Sequence, residues 1–113
     1  MTKPLVHPAI EDVPIEAILH ALSDKHRVAL FIQIFHQDNP SSCTTLSCVL
    51  YQPLPKSTLS QHMRILREAG LIRGERHGVE MRNTSRYEEV EARYPGLLKA
   101  IVSAYAIQLG AKK

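Results

Sequence analysis

Apolar residues recur with a helical period between residues 56 and 72, and polar residues fill the positions between them. The apolar positions share one side of a helical wheel and are Leu59, Met63, Ile65, Leu66 and Ala69. Residues three and four apart are neighbours on a helix surface, so this spacing predicts an amphipathic helix that packs on a core. Gly70 follows it, where a helix commonly ends in a left-handed conformation.

The opposite side of this helix is polar and cationic. Its first turns carry the short hydroxyls of Ser57 and Ser60 and the amide of Gln61, which suit DNA base edges and phosphates approached closely. Arg64 and Arg67 follow, where they suit phosphates across a groove. A solvated amphipathic helix has the same composition, so the helix alone does not decide between the two interpretations.

A basic hairpin is predicted directly after the helix, over residues 71–84. Gly78 supplies the positive φ that a tight turn needs, and Arg76 and His77 join it at the predicted tip. Val79 and Met81 alternate with charged residues and are expected to be half-buried. The cationic residues of the hairpin are Arg73, Arg76, His77 and Arg82. A helix that fits a DNA groove, followed by a basic hairpin, is the layout of a winged helix-turn-helix.

The remaining pattern predicts a mainly α fold with a small β-hairpin wing. A first helix begins at Pro14 and runs to about Leu22, and Asp24 caps a second, strongly apolar helix. A short positioning helix is expected over residues 44–51, before a proline-rich turn at 52–55. After the wing, residues 86–93 indicate a helical turn, and Pro95 opens a final apolar helix. The predicted order is four helices, two strands and a final helix, in one domain over residues 13–110 that follows a loose arm of residues 1–12.

Three segments resemble the ArsR/SmtB family of bacterial winged-helix repressors, and the resemblance covers residues 17–105. Residues 21–30 are similar to the junction of the family's first two helices, residues 57–71 to its recognition helix, and residues 91–100 to the start of its dimerisation helix. The resemblance implies a sequence-specific transcriptional regulator that binds double-stranded DNA, and a repressor that overlaps a promoter. It also implies a homodimer joined through the terminal helices, with recognition helices in successive major grooves of a near-palindromic site.

Two sets of site residues follow from these expectations. The predicted DNA-binding residues are Lys56, Ser57, Thr58, Ser60, Gln61, Arg64, Arg67, Arg73, Arg76 and His77. Base contacts are expected from Ser57, Ser60 and Gln61, and phosphate contacts from the cations and Thr58. The predicted dimer-interface residues are Ile15, Ile18, Leu19, Leu98, Ile101, Val102 and Tyr105. In the alternative interpretation, the final helix only completes the core of its own chain.

The sites by which related proteins sense metals are missing from this sequence. Metal-sensing members carry Cys-x-Cys-Asp-Leu in the positioning helix, whereas this chain has Ser42-Cys43-Thr44-Thr45-Leu46, and hydroxyls are poor ligands for soft metals. A second family site uses acidic and histidine ligands along the final helix, but residues 95–113 contain no His, Asp or Glu. No metal site and no cofactor are therefore predicted, and no effector is identified.

The cysteines and histidines leave a sensing alternative open. Cys43 and Cys48 would face different sides of one helix, which is poor geometry for a disulfide between them. They are candidate redox residues, although cysteines in such a chain are more commonly structural. The histidines are scattered in the sequence, and we expect His62 to be a packed, hydrogen-bonded brace of the recognition helix rather than a ligand. The alternatives are a thiol- or metal-responsive sensor with non-standard ligands and a winged-helix module that binds protein.

Composition and charge agree with a small DNA-binding domain. The chain has 113 residues, of which 44% are hydrophobic, and a net charge of +3; dimerisation would help to complete so small a core. It lacks a glycine-rich phosphate loop and a nucleophile with a plausible adjacent base, so no enzyme is predicted. It also lacks an apolar run that could span a membrane, and residues 1–8 lack the apolar core of a signal peptide. We therefore expect a cytoplasmic protein with no membrane partner.

Overall fold

The computed structural model describes residues 7–36, 41–42 and 54–110. Its helices are α1 (Ile15–Ala21), α2 (Lys25–His36), α3 (Lys56–Glu68), α4 (Tyr87–Arg93) and α5 (Leu97–Gly110), preceded by a 3-10 turn at Ile10–Asp12. Strands β1 (Ser41–Ser42), β2 (Ile72–His77) and β3 (Glu80–Ser85) form one antiparallel sheet in the order β1-β3-β2. The predicted helical fold with a hairpin is confirmed. The predicted positioning helix lies outside the described residues.

Helices α1 and α2 begin close to where the sequence places them. Pro14 immediately precedes α1, and Asp24 immediately precedes α2. The Asp24 carboxylate accepts hydrogen bonds from the backbone N–H groups of His26 at 2.8 Å and Arg27 at 3.2 Å. It therefore satisfies donors that lack partners within the helix, which is the capping role predicted for it.

Within the described part of the chain, one hydrophobic core joins residues from the helices and from the base of the hairpin. Its buried members are Val13, Ile18, Ala21, Leu30, Phe31, Ile34, Leu59, Met63, Leu66, Ala69, Leu71, Ile72, Val90 and Leu98. Ile18 and Leu98 were predicted for a dimer interface, but they are 1% and 0% exposed within this one chain. The prediction is therefore corrected for these two positions, because each side chain already fills its own core.

The hairpin differs from its predicted form in three respects. Arg76 and His77 lie within β2, paired with Met81 and Glu80, so the turn itself consists of Gly78 and Val79. Gly78 has the expected positive φ, at 68°. Val79 is fully exposed rather than half-buried, because the turn carries it beyond the paired strands. The sequence analysis also missed the short strand β1, which pairs with β3 on the side away from β2.

Residues 7–12 are packed against the domain, whereas the sequence predicted a loose arm. The backbone N–H of Gly74 donates a hydrogen bond to Nε2 of His7 at 3.0 Å. The Arg86 guanidinium donates to the carbonyl of Pro8 at 2.9 Å, and Ile10 packs against the core. Residues 7–10 therefore lie along the base of the wing, held by contacts between residues far apart in the sequence.

Helix α5 is joined to α4 by a carboxylate cap. A short helix over Tyr87–Arg93 lies where the sequence predicted a helical turn. Glu91 in this helix accepts hydrogen bonds from the backbone N–H groups of Gly96, Leu98 and Lys99 at 2.7–3.0 Å. These bonds, led by the one from Gly96, hold the pKa of Glu91 below its ordinary value.

Among the described residues, none of the helices combines the length and apolarity needed to cross a membrane.

Candidate nucleic-acid interface

Helix α3 is anchored by a buried stripe that fixes which of its sides reaches solvent. Leu59, Met63 and Leu66 are buried in the core, as the periodicity predicted. The helix begins after Pro55 and ends before Gly70, whose φ of 76° is the left-handed conformation expected there. Burial of three large apolar side chains in one stripe leaves little freedom of rotation about the helix axis.

The predicted DNA-reading residues of α3 lie on its solvent side. Ser57, Ser60 and Gln61 are exposed, and so are Lys56 and Arg64. These five side chains are therefore brought together on one surface, which we call the α3 polar face. Of the remaining predictions on this helix, Thr58 and Arg67 are half-buried at its edges.

Arg64 is held by an ion pair that DNA can replace. Its Nε donates to Oε2 of Glu68 at 3.0 Å, and the two side chains are 65% and 54% exposed. Exposed pairs of this kind contribute about 0.3–0.5 kcal/mol when they are one helical turn apart. Because this is small, a phosphate oxygen can take the place of the Glu68 carboxylate.

The N-terminus of α3 also favours anions. Its cap residue makes no side-chain hydrogen bond, and its first turn contains no acidic residue. The first N–H groups of a helix lack intrahelical partners and carry the positive end of the helix dipole. Phosphate groups are commonly bound in this arrangement.

The cationic residues of the wing lie in two places, near its tip and at its base. Arg76 and His77 are exposed near the tip, where Nε2 of His77 lies 3.4 Å from Oε1 of Glu75. Arg73 lies at the base, 3.6 Å from the Glu89 carboxylate. Glu89 also accepts a bond from buried Arg86, and this bond, followed by the charges of Arg86 and Arg73, lowers the pKa of Glu89. Arg73 is thus engaged in the fold, unlike the exposed Arg76.

His62 braces α3 from its buried side, as the sequence predicted. Its ring is buried, and its Nδ1 lies 3.2 Å from the guanidinium of Arg27 on α2. Arginine has only donors, so Nδ1 must accept the bond and the ring is neutral. Burial, followed by the charges of Arg27 and His26, lowers the pKa of His62, against an opposing effect of Asp24.

Two histidine contacts were not predicted. The His26 ring stacks on that of His62, with ring centroids 6.0 Å apart. His7 at the base of the wing has its pKa lowered by burial and then by the charges of Arg73, Arg67 and Arg86. The polar character of both segments was visible in the sequence, but no local pattern indicates which distant residue each histidine meets.

Large apolar side chains are exposed on both α1 and α5. Ile15 and Leu19 on α1 are 38% and 50% exposed, and Ile107 on α5 is 73% exposed. Of the other interface predictions, Ile101 and Val102 are partly buried against the core. The Tyr105 hydroxyl is buried without a hydrogen-bond partner among the described residues. Cys43 and Cys48 lie outside the described residues.

Comparison with known proteins agrees with this architecture. The family model of a helix-turn-helix domain matches residues 22–75. The chain is similar to an ArsR-like transcriptional regulator from Rhodococcus sp. RHA1, with 23% identity, a TM-score of 0.57, and coverage of 88% of this chain and 89% of that one.

Two further solved structures share the fold. Reduced HlyU from Vibrio cholerae N16961 has 28% identity and a TM-score of 0.56, over 69% of this chain and 79% of its own. Another ArsR family transcriptional regulator has 18% identity and a TM-score of 0.61, over 89% of this chain and 98% of its own. No curated protein sequence matches the chain significantly.

Proposed function

We propose that this chain, which has an ArsR-type winged helix-turn-helix fold, is a DNA-binding transcriptional regulator that acts as a homodimeric repressor at a near-palindromic promoter site. The observation that carries the proposal is the α3 polar face, a set of small polar and cationic side chains held outward by the buried stripe of the same helix. A major groove admits a helix of this kind.

Base reading is assigned to the exposed side chains near the start of α3. Gln61 has an amide that can pair with adenine through two hydrogen bonds, and Ser57 and Ser60 can approach base edges or the backbone closely. The buried stripe limits rotation of the helix, so these groups need little ordering when they meet DNA. This preorganisation favours specific contacts over loose electrostatic attraction.

Phosphate binding is assigned to the cations around this face. Lys56 and Arg64 flank it, the half-buried Thr58 and Arg67 lie at its edges, and the free N–H groups of α3 add a further anion site. On the wing, the exposed Arg76 and His77 lie next to the turn and are assigned contacts with the adjacent backbone or minor groove. Arg73 lies at the base of the wing, and its 3.6 Å pair with Glu89 is exposed, so a phosphate can replace it as at Arg64.

Dimerisation is supported by the apolar surface of the terminal helices. Three large apolar residues, Ile15, Leu19 and Ile107, are exposed in the single chain. Burial of these side chains against a second copy of the chain would be favourable, because it removes apolar surface from water. In a twofold dimer the two recognition helices meet successive grooves about one DNA turn apart. Sedimentation equilibrium at micromolar concentration is expected to give twice the mass of the chain; a monomer would contradict the dimer.

The experiment that tests the proposal compares two variants on promoter and random DNA. Gln61→Ala should lose about 1–3 kcal/mol on the promoter sequence and much less on random DNA, because it removes base contacts. Arg76→Ala should weaken both by similar factors and reduce the salt slope by about one, because it removes a phosphate contact. Equal losses on both DNAs for Gln61→Ala would refute the base-reading assignment.

A further inference from the structure

Three side chains with metal-binding atoms meet where the start of α2 packs against the middle of α3. One carboxylate oxygen of Asp24 and one ring nitrogen each of His26 and His62 lie within 4.8 Å of one another. We propose that Asp24, His26 and His62 form a binding site for a divalent transition metal, with zinc as the expected ion. Two imidazoles and one carboxylate are a donor set that zinc accepts, with water in the fourth position.

The ionisation states of these groups suit metal binding. A ligand histidine must be neutral, and His62 is neutral because its Nδ1 accepts a bond from Arg27. Burial raises the pKa of Asp24, but hydrogen bonds from the backbone N–H groups of His26 and Arg27 outweigh this effect. The net pKa is below the ordinary value, so the carboxylate is charged at neutral pH. Metal binding therefore requires little release of protons from His62 and Asp24.

The distances are within reach of small side-chain rotations. Tetrahedral zinc with ligands at about 2.1 Å places them roughly 3.4 Å from one another. His26 Nδ1 already lies 3.7 Å from Oδ1 of Asp24. His62 is fixed by the core, whereas the Asp24 and His26 side chains are 36% and 12% exposed. The side chains of Asp24 and His26 can therefore rotate toward His62, and the ion and its water can enter from the solvent side of Asp24.

Arg27 competes with the metal ion for His62. Its guanidinium carries a positive charge and occupies Nδ1 of His62, so an ion at that nitrogen must displace it. The same guanidinium retains its bond to the carbonyl of Ala21, at 2.7 Å. The competition predicts weaker binding than at a site made of thiolates, and a site that exchanges its ion readily.

The position of the site gives the ion a structural consequence. Asp24 and His26 belong to the start of α2, whereas His62 lies on the buried side of the helix that carries the polar face. A bound ion would cross-link these two helices. The three ligands belong to neither residues 42–46 nor residues 95–113, the two segments where the sequence lacks the metal ligands of related proteins. His62 is far in the sequence from Asp24 and His26, so no short motif indicates the complete site.

The test is a metal titration of the chelator-treated full chain in the absence of DNA. Cobalt(II) should produce the visible absorption of a four-coordinate site, and zinc should abolish it at one ion per chain. His26→Gln and Asp24→Asn should each weaken zinc binding more than tenfold, measured by competition with a chromophoric chelator, since even supporting residues contribute about 10–100-fold. Asn caps a helix about as well as Asp, so Asp24→Asn preserves the start of α2.

Matched controls separate this site from other ligands. His20→Gln changes an exposed histidine on α1 and should leave the affinity unchanged. The double variant Cys43→Ser, Cys48→Ser should also bind zinc normally. No binding, equal binding by His26→Gln and the unaltered chain, or loss of binding in the cysteine variant would each overturn the inference. Because the titration contains no DNA, none of these results bears on the proposed regulator function.

Discussion

Arg27 is expected to contribute more to stability than any exposed arginine of this fold. It is 8% exposed, and its Nε donates to the carbonyl of Ala21 at 2.7 Å. Its two terminal nitrogens lie 3.3 Å from the carbonyl of His20 and 3.2 Å from Nδ1 of His62. One guanidinium therefore connects the end of α1, the start of α2 and the inner side of α3.

The magnitude follows from the groups that Arg27→Ala would leave without partners. A hydrogen bond from a charged donor contributes about 1.5–3 kcal/mol, and a buried acceptor left unsatisfied costs about 1–3 kcal/mol. The contacts at 3.2 and 3.3 Å are long, and removing the guanidinium also removes its own desolvation cost. We therefore expect a loss of about 3 kcal/mol, or roughly 12 °C in Tm at about 4 °C per kcal/mol for a domain of this size.

The assay is urea unfolding followed by circular dichroism, at one fixed protein concentration because the proposed dimerisation would stabilise the folded state. Arg64→Ala is the matched control, since Arg64 is 65% exposed and pairs only with Glu68 in the described structure; it should lose no more than about 0.5 kcal/mol. If the two variants lost the same stability, the bracing role of Arg27 would be refuted.

Two further perturbations test the contacts that position the site. His7 and His62 both have pKa values below the ordinary 6.5, so their contribution to folding is present above about pH 6.5 and is lost as the pH falls through the folded-state pKa. Unfolding free energies measured from about pH 7.5 to 5 should fall, and His7→Ala should reduce this dependence; an unchanged slope would contradict the role of His7. Gly70→Ala should destabilise by more than about 1 kcal/mol, because its φ is 76° and an added Cβ would lie 3.0 Å from Cγ2 of Val13. Gly78→Ala is the control, with a φ of 68° but no atom within 4 Å of the added Cβ; equal losses in thermal melts would show that the close approach to Val13 is unimportant.

Local patterns predicted the elements of this fold well. The spacing of Leu59, Met63 and Leu66 predicted both the helix and its buried side, and Gly70 predicted its end. Asp24 predicted the start of α2. These features depend on residues within one or two helical turns, so they can be recognised from a short stretch of sequence.

Contacts between distant segments could not be predicted in the same way. An apolar helix position shows that a side chain is buried, but not whether its own chain or a partner covers it; this is why Ile18 and Leu98 were assigned to the wrong surface. The pairing of β1 with β3 and the meeting of His26 with His62 likewise depend on the tertiary fold. The exposure of the residues predicted to read DNA was easier to foresee, because it follows from the helical spacing of a short segment.

The most direct measurement is fluorescence anisotropy of the protein on its own upstream promoter DNA and on shuffled DNA, across a salt series. The proposed regulator should bind the promoter more tightly than the shuffled sequence by about a thousandfold or more, and its affinity should fall steeply with salt as phosphates are neutralised. Weak binding without preference between the two DNAs, or an affinity nearly independent of salt, would contradict a sequence-reading role for the α3 polar face.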